Sequence, residues 1–392
     1  MYYKKEIYIY KFMKKILVLG CGRVGRTICL DLALENPITV VDISNENLKK
    51  VKRTNIETVE FDISNNKKLR ELIKDFNLII SCVPGFMGFK TLKTIIEENI
   101  DVVDISFFPE DSLKLSKLAI EKNVTAIVDA GVAPGLSNLI LGYYDSILKV
   151  NYYACYVGGL PIIKNQPFEY KAPFSPIDVI EEYTRPARLY ENSQIVTKDP
   201  LTEIELLNFK KCEDLEAFNT DGLRTLLFTM NHIPNMKEKT LRYPGHAEKI
   251  KILKKCGFFN ENQIEISNQK ITPLQMTTEI LKKDWFLKEN DLEFTVMKIE
   301  IHNSEKMFTI NLFDEYDPKL QMSSMSRTTG YTCTACADLI KKSIFKEKGI
   351  IPLEIIGKNK QYYKYIMNYL KNRNVTLTTS EKKYSKDRTD KN

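Results

Sequence analysis

Gly20, Gly22 and Gly25 stand at GxGxxG spacing in the stretch KILVLGCGRVGRTICL, and a carboxylate, Asp42, follows about 20 residues later. An apolar, β-favouring run, Ile16 to Leu19, leads into the glycines. A helical pattern follows them, and a second apolar run, Ile38 to Val41, ends on Asp42. Strand, glycine turn, helix, strand and acid in that order form a dinucleotide-binding fingerprint, and each residue type has a physical task. Gly20 permits a tight turn. Gly22 lacks the Cβ that would obstruct a pyrophosphate, and Gly25 lets helix and strand approach. With Arg23 and Val24, the free N–H groups at the helix start receive the phosphates.

Asp42 also bears on which dinucleotide is bound. A carboxylate at the tip of the second strand accepts hydrogen bonds from both ribose hydroxyls of NAD and repels the 2′-phosphate of NADP. The next residues, Ile43, Ser44 and Asn45, supply no cation to offset that repulsion. The expectation is NAD rather than NADP.

These residues need a scaffold. Further strand candidates are Ile56 to Phe61, Leu78 to Cys82, Val102 to Ile105 and Ala126 to Val128. Helical patterns at Leu69 to Phe76, Thr91 to Asn99 and Leu113 to Asn123 separate them. Strands alternating with helices predict an α/β fold, a Rossmann doubly wound parallel sheet that binds ligands at the carboxyl ends of its strands. Asp62, Cys82, Val83, Pro84, Asp104 and Ser106 fall at such ends and join the expected cofactor contacts. From about residue 150 alternating runs take over: Val150 to Val157, Arg188 to Val196, Phe294 to His302 and Met307 to Phe313. The last two read as an antiparallel hairpin. This predicts an inserted α+β domain over residues 132–329. The small-residue helical pattern SRTTGYTCTACADLIKKSIF then returns the chain to the nucleotide domain. That domain is expected to span 14–131 plus 330–376, with 1–13 an extension and 377–392 a disordered tail.

The chain has 392 residues, enough for two cores, and is 43% hydrophobic and 28% charged, a soluble globular balance. No apolar run reaches the roughly 20 residues of a membrane span, and the opening MYYKKEIYIYKFM lacks a signal core. No membrane association is expected. The formal charge of +7 lies in lysine-rich helix faces and the tail rather than in a basic stripe with stacking aromatics, so no nucleic-acid partner is expected. Eight scattered cysteines suit reduced thiols and a cytoplasmic location. Cys333 and Cys336 resemble half a zinc site. They lie in a helical pattern with no second pair, so no metal is expected.

The strings VDISFF, IVDAGVAPGLSN and YVGGLP resemble the saccharopine dehydrogenase-like reductases. YKAPFSPIDVIEEYTRPARLY, LEAFNTDGLRTLL, EKTLRYPGHAEKIKILKKCGFF and RTTGYT are most similar to the lysine 6-dehydrogenase branch. The resemblance runs from about Lys14 to Val375. It implies hydride transfer between a nicotinamide and a C–N bond, and a second domain that supplies substrate contacts and dimerisation. A homodimer or higher homo-oligomer is therefore expected. Saccharopine-forming relatives carry an acid in the GxDPG motif where this chain has Ala133, which argues against a saccharopine-type substrate.

Oxidising a primary amine requires something to accept its proton, and an amino-acid substrate calls for a cation at its carboxylate, ideally a bidentate arginine. The family-like strings offer Arg185, Arg188, Arg224 and Arg242. Asp221 reads either as the cap of a helix over Gly222 to Thr229, with Thr220 as the alternative cap, or as a partner for the substrate ammonium. Arg242, before the Pro-Gly turn, reads as a carboxylate binder or a structural ion pair. His246 reads as a helix-start residue or a proton shuttle titrating near neutral pH. Asp221, His246 and Arg242 form the candidate catalytic group, with Arg224, Tyr170, Lys171 and Ala133 as candidate substrate contacts. The expected reaction is NAD-dependent oxidative deamination of the side-chain amine of L-lysine. A saccharopine- or carboxynorspermidine-type imine reductase and a non-catalytic NAD sensor stand as alternatives.

Overall fold

A computed structural model describes residues 14–384, which form two compact units. The first ends at Gly131 and resumes over Gly330–Leu353, and the second holds Val132–Thr329 and the residues from Glu354 onward. The expected extension 1–13 lies outside the described residues.

The first unit is the expected parallel sheet. Its early strands are β1 (Ile16–Leu19), β2 (Ile38–Asp42), β3 (Ile56–Glu60), β4 (Leu78–Ser81), β5 (Asp101–Asp104) and β6 (Thr125–Val128). A late strand, β17 (Gly349–Pro352), pairs parallel with β6, so a C-terminal segment completes the sheet in the order β17-β6-β5-β4-β1-β2-β3. Its central strands β1 and β4 read as continuous apolar runs because they are buried along their whole length, whereas the edge strand β3 is partly exposed. Leu17, Leu19, Ile79 and Val102 share one core with Leu92, Ile95 and Ile96 of the helix Gly85–Glu97. The small residues of the helix Ser324–Lys341 serve close approach. A Cβ on Gly330 would stand 3.1 Å from Thr27, and Thr334 Oγ1 donates to Asp31 at 2.6 Å.

The second unit is built on a nine-stranded mixed sheet. Its spine is β7 (Tyr152–Pro161), flanked by β12 (Asn235–Arg242) and β15 (Glu293–His302). β15 and β16 (Lys306–Glu315) form the expected hairpin, whose turn is closed by Asn303 Oδ1 accepting from the Lys306 amide at 2.8 Å.

Three expectations need correction. The run Arg188 to Val196 is two strands, β8 (Ala187–Glu191) and β9 (Gln194–Lys198), folded back at Asn192 and Ser193. Both turn residues have left-handed backbone (φ 51° and 64°), the geometry of a tight hairpin that short polar side chains tolerate. Second, residues 354–376 join the α+β unit, not the nucleotide unit. Tyr363 stacks on Tyr143 with centroids 4.0 Å apart, and Glu354 accepts from Asn138 at 3.1 Å and Thr229 at 2.6 Å. Third, the expected tail begins with a strand, Leu377–Lys383, paired antiparallel with β16. Its side chains are mostly exposed, so main-chain pairing holds it and no apolar pattern announces it. Residues 385–392 lie outside the described set. Among the described residues no helix is long and apolar enough to cross a membrane.

Candidate functional site

In the first unit the strand order reverses between β1 and β4, the place where such sheets take ligands. Gly20 follows β1 with φ +96°, and its amide donates to the Val41 carbonyl at 2.8 Å. A Cβ there would stand 2.6 Å from the Cys82 carbonyl oxygen, and one on Gly25 would collide with the Gly20 carbonyl. The chain's own packing therefore demands both glycines. Gly22 differs. Its φ of −66° suits any residue, and a Cβ on it would meet no protein atom within 4 Å. Nothing inside the protein requires glycine at that position, whereas a phosphate group approaching the helix start would. The helix Arg23–Leu32 begins at Gly22 with no side-chain cap, so its first amides suit an anion. Arg23 and Val24 are half-buried on that first turn.

Asp42 ends β2 beside this turn. Its Oδ2 accepts from the Cys21 amide at 2.6 Å and its Oδ1 from the Ser44 amide at 2.7 Å, which fixes the carboxylate at the strand tip. Ile43, 70% exposed, offers an apolar surface suited to an adenine face, a role that the sequence reading did not give it. Asp62 is exposed and accepts from the Ser64 amide, which lowers its carboxyl pKa. Cys82, Val83 and Pro84 lead from β4 into the helix Gly85–Glu97. Asp104, fully buried at the end of β5, accepts from the Ser106 amide at 2.9 Å and the Ser106 hydroxyl at 3.2 Å. Burial pushes its carboxyl up to about 7. The residues present fit a dinucleotide: a bare turn, uncapped amides and a carboxylate for the ribose.

In the second unit β12 carries Arg242 into a buried aromatic cluster. Its Nη2 reaches Glu182 at 2.5 Å and Tyr170 Oη at 3.2 Å. Nε donates to Tyr183 Oη at 3.1 Å, and Nη1 donates to the Leu241 carbonyl at 2.8 Å. The guanidinium also lies 4.3 Å from the Tyr170 ring centroid. His246 Nδ1 faces the Phe168 carbonyl at 3.0 Å and so carries the proton, leaving Nε2 to accept from Tyr183 Oη at 3.0 Å. Burial first, and then the Arg242 charge, push the His246 pKa down to about 3. The ring is neutral at physiological pH, so the neutral-pH titration behind the proton-shuttle reading is absent. Arg242, Tyr170 and His246 are thus brought together, with Glu182, Tyr183 and Trp285 as partners that the sequence reading missed.

Asp221 lies elsewhere in this unit's bonding. Both its oxygens engage Arg188, from Nε and Nη2 at 2.8 Å each, and the Arg188 amide adds a bond at 3.1 Å. The expected helix Gly222 to Thr229 is only Leu226–Thr229, and Asp221 does not cap it. The side chain of Arg188 is 30% exposed and that of Asp221 only 3%. Arg224 is buried with left-handed backbone (φ 47°), and Lys171 Nζ donates to the Asp284 carbonyl at 2.5 Å. Ala133 precedes Pro134 in the turn entering the helix Leu136–Ile147. Cys333 and Cys336 are buried free thiols, and the described residues include no group of three or more acidic, histidine or cysteine side chains that could hold a metal ion.

A parallel sheet with this glycine turn, joined to a large α+β unit, defines a protein of the dinucleotide-binding class. Residues 16–127 match the saccharopine dehydrogenase NADP binding domain and residues 131–375 the saccharopine dehydrogenase C-terminal domain. The chain belongs to the saccharopine dehydrogenase family. It is 25% identical over 278 residues to the mitochondrial alpha-aminoadipic semialdehyde synthase of Mus musculus, covering 67% of this chain and 30% of that protein. It is likewise 25% identical over 278 residues to the NADP(+), L-glutamate-forming saccharopine dehydrogenase of Saccharomyces cerevisiae, covering 66% of this chain and 61% of that one. The chain thus spans less than two thirds of the length of either relative. The solved apo structure of the Saccharomyces cerevisiae saccharopine dehydrogenase (L-Glu forming) superposes with a TM-score of 0.74 at 20% identity, over 94% of this chain and 99% of that one, a likeness of fold.

Proposed function

We propose that this chain is an NAD-dependent dehydrogenase that oxidises the side-chain amine of L-lysine to 2-aminoadipate 6-semialdehyde, which cyclises to an imine. The observation that carries the substrate reading is Ala133 in GVAPG, where the resemblance places an acid in saccharopine-forming relatives. The bound nicotinamide supplies the hydride acceptor. Gly22 and the first turn of its helix hold the pyrophosphate, and Asp42 holds the adenosine ribose. A second reading, an NADP-dependent reductase making saccharopine or a similar secondary amine, is favoured by the names of the relatives and of the family model. Incubation with NAD and L-lysine separates the two: the first reading expects ammonia release equal to nucleotide reduction, and the second expects neither.

For cofactor choice, Asp42→Ala should narrow the preference for NAD over NADP mainly by weakening NAD. The loss should be about 1.5–3 kcal/mol, that of a hydrogen bond to a charged group. Comparison of kcat/KM for the two nucleotides checks it, and equal use of NADP by the unaltered enzyme would refute the preference.

For the substrate's α-carboxylate and α-ammonium we assign the Arg188–Asp221 pair, a cation and an anion already side by side. The side chain of Arg188, 30% exposed, is open to a substrate, whereas Arg242 is only 2% exposed. Arg188→Ala should therefore reduce discrimination between lysine and its decarboxylated analogue, measured as the ratio of kcat/KM values. Unchanged discrimination would remove Arg188 from this role. The second unit is also the proposed dimerisation unit, to be checked by sedimentation, and the free cysteines suit a reducing cytoplasm.

A further inference from the structure

Within the second unit the Arg188–Asp221 pair joins a fixed anion to a movable cation. Asp221 lies just past the strand Leu215–Asn219. A Cβ on the next residue, Gly222, would collide with the Glu238 carboxyl, so the backbone there is packed hard against β12. Leu223, which follows, is fully buried. The main chain that carries Asp221 is thus held on both sides, and its carboxylate is only 3% exposed.

Arg188 reaches this carboxylate from β8 through three bonds. Nε and the amide meet Oδ1 at 2.8 and 3.1 Å, and Nη2 meets Oδ2 at 2.8 Å. Its side chain is 30% exposed, so the guanidinium has a way out toward solvent that Asp221 lacks. When it turns away, the Arg188 amide stays on Oδ1, and the exchange moves a side chain rather than the backbone.

The cost of such a move depends on what replaces the lost partner. A buried charge left alone is expensive, whereas one pair exchanged for another is not. An α-amino acid presents a carboxylate and an ammonium on one carbon. Its carboxylate takes Arg188 while its ammonium takes the vacated place on Asp221, so two pairs replace one and no charge is stranded. A compound end with a carboxylate alone draws Arg188 off and strands Asp221. An end with an ammonium alone strands Arg188.

We propose that the Arg188–Asp221 pair is a placeholder for a zwitterion, admitting the α-amino acid end of the substrate by exchange of partners and excluding ends that carry one of its two charges. This rests on the amino-acid substrate reading above.

Ligand-observed NMR titration of the full chain tests it with four compounds that share the side-chain amine. L-Lysine carries both end charges, 1,5-diaminopentane lacks the carboxylate, 6-aminohexanoate lacks the α-ammonium, and pentylamine lacks both. Each single-charge compound should bind about 100-fold more weakly than L-lysine, the cost of one stranded charge. Pentylamine, which leaves the pair closed, should bind no more weakly than either of them. Losses that multiply, to about 10⁴-fold for pentylamine, would show two independent contacts and overturn the exchange. Asp221→Asn frees Arg188 from its anion and should bind 6-aminohexanoate more tightly than the wild type does, a gain that misfolding cannot produce. An unchanged affinity in the folded variant would also overturn the proposal, and should the variant not fold, the wild-type series decides. L-Lysine bound with this pattern but not oxidised would remove the function reading and leave the pair standing. L-Lysine and L-norleucine bound no better than pentylamine would remove the pair, whatever the chain oxidises.

Discussion

Gly22→Val is expected to abolish binding of the nicotinamide nucleotide while leaving the fold intact. A β carbon on Gly22 meets no protein atom within 4 Å, and the backbone there is of ordinary, non-left-handed type, so the folded chain has room for the branched side chain. That room is the approach to the uncapped first turn of the helix Arg23–Leu32, where phosphate oxygens would accept from the amides. Valine in that path displaces the ligand rather than the protein. Calorimetry with NAD should read no binding, and circular dichroism and thermal unfolding should stay close to the wild type. The two neighbouring glycines provide the contrast. Gly20→Ala puts a side chain against the Cys82 carbonyl in a left-handed conformation and should destabilise the first unit itself. Wild-type affinity in Gly22→Val would mean that the turn is not a phosphate cradle.

Arg242→Ala should destabilise the second unit by about 3–5 kcal/mol, the cost of breaking a buried ion pair by removing one partner. The variant leaves the half-buried Glu182 without its cation, and desolvation already raises the Glu182 carboxyl pKa. It also takes the hydrogen bonds from Tyr170 and Tyr183 and the cation from above the Tyr170 ring. Urea unfolding measures the loss. The double variant Arg242→Met with Glu182→Gln should recover part of it, since an uncharged pair of similar volume leaves no orphaned charge. A stable Arg242→Ala whose only defect is weaker lysine binding would instead return Arg242 to carboxylate recognition.

The dinucleotide half of the molecule was legible in the sequence because its signals are local. Gly20, Gly22, Gly25 and Asp42 lie within one strand-helix-strand unit, and fully buried parallel strands announce themselves as apolar runs. The second unit was less legible because its decisive contacts are distant in sequence. The bond from Arg242 to Glu182 spans 60 residues and that from Asp221 to Arg188 spans 33, and no spacing rule connects either pair. Asp221 looked like a helix cap because Thr-Asp-Gly before an apolar run is a common start signal, yet its carboxylate is held by Arg188. The hairpin at Asn192 and Ser193 was hidden because residues on both sides continue the same alternation. The strand Leu377–Lys383 was hidden because backbone pairing on β16, not burial, holds it.

In the proposed reaction hydride passes from the side-chain carbon bearing the amine of L-lysine to NAD. Lysine deuterated at that carbon, incubated with NAD and the purified protein, tests it most directly, with the reduced nucleotide analysed by mass spectrometry. Deuterium is expected in the nicotinamide ring, one atom for each ammonia released. Reduced nucleotide without deuterium, or no reduction with lysine but ready reaction with saccharopine and NADP, would contradict it.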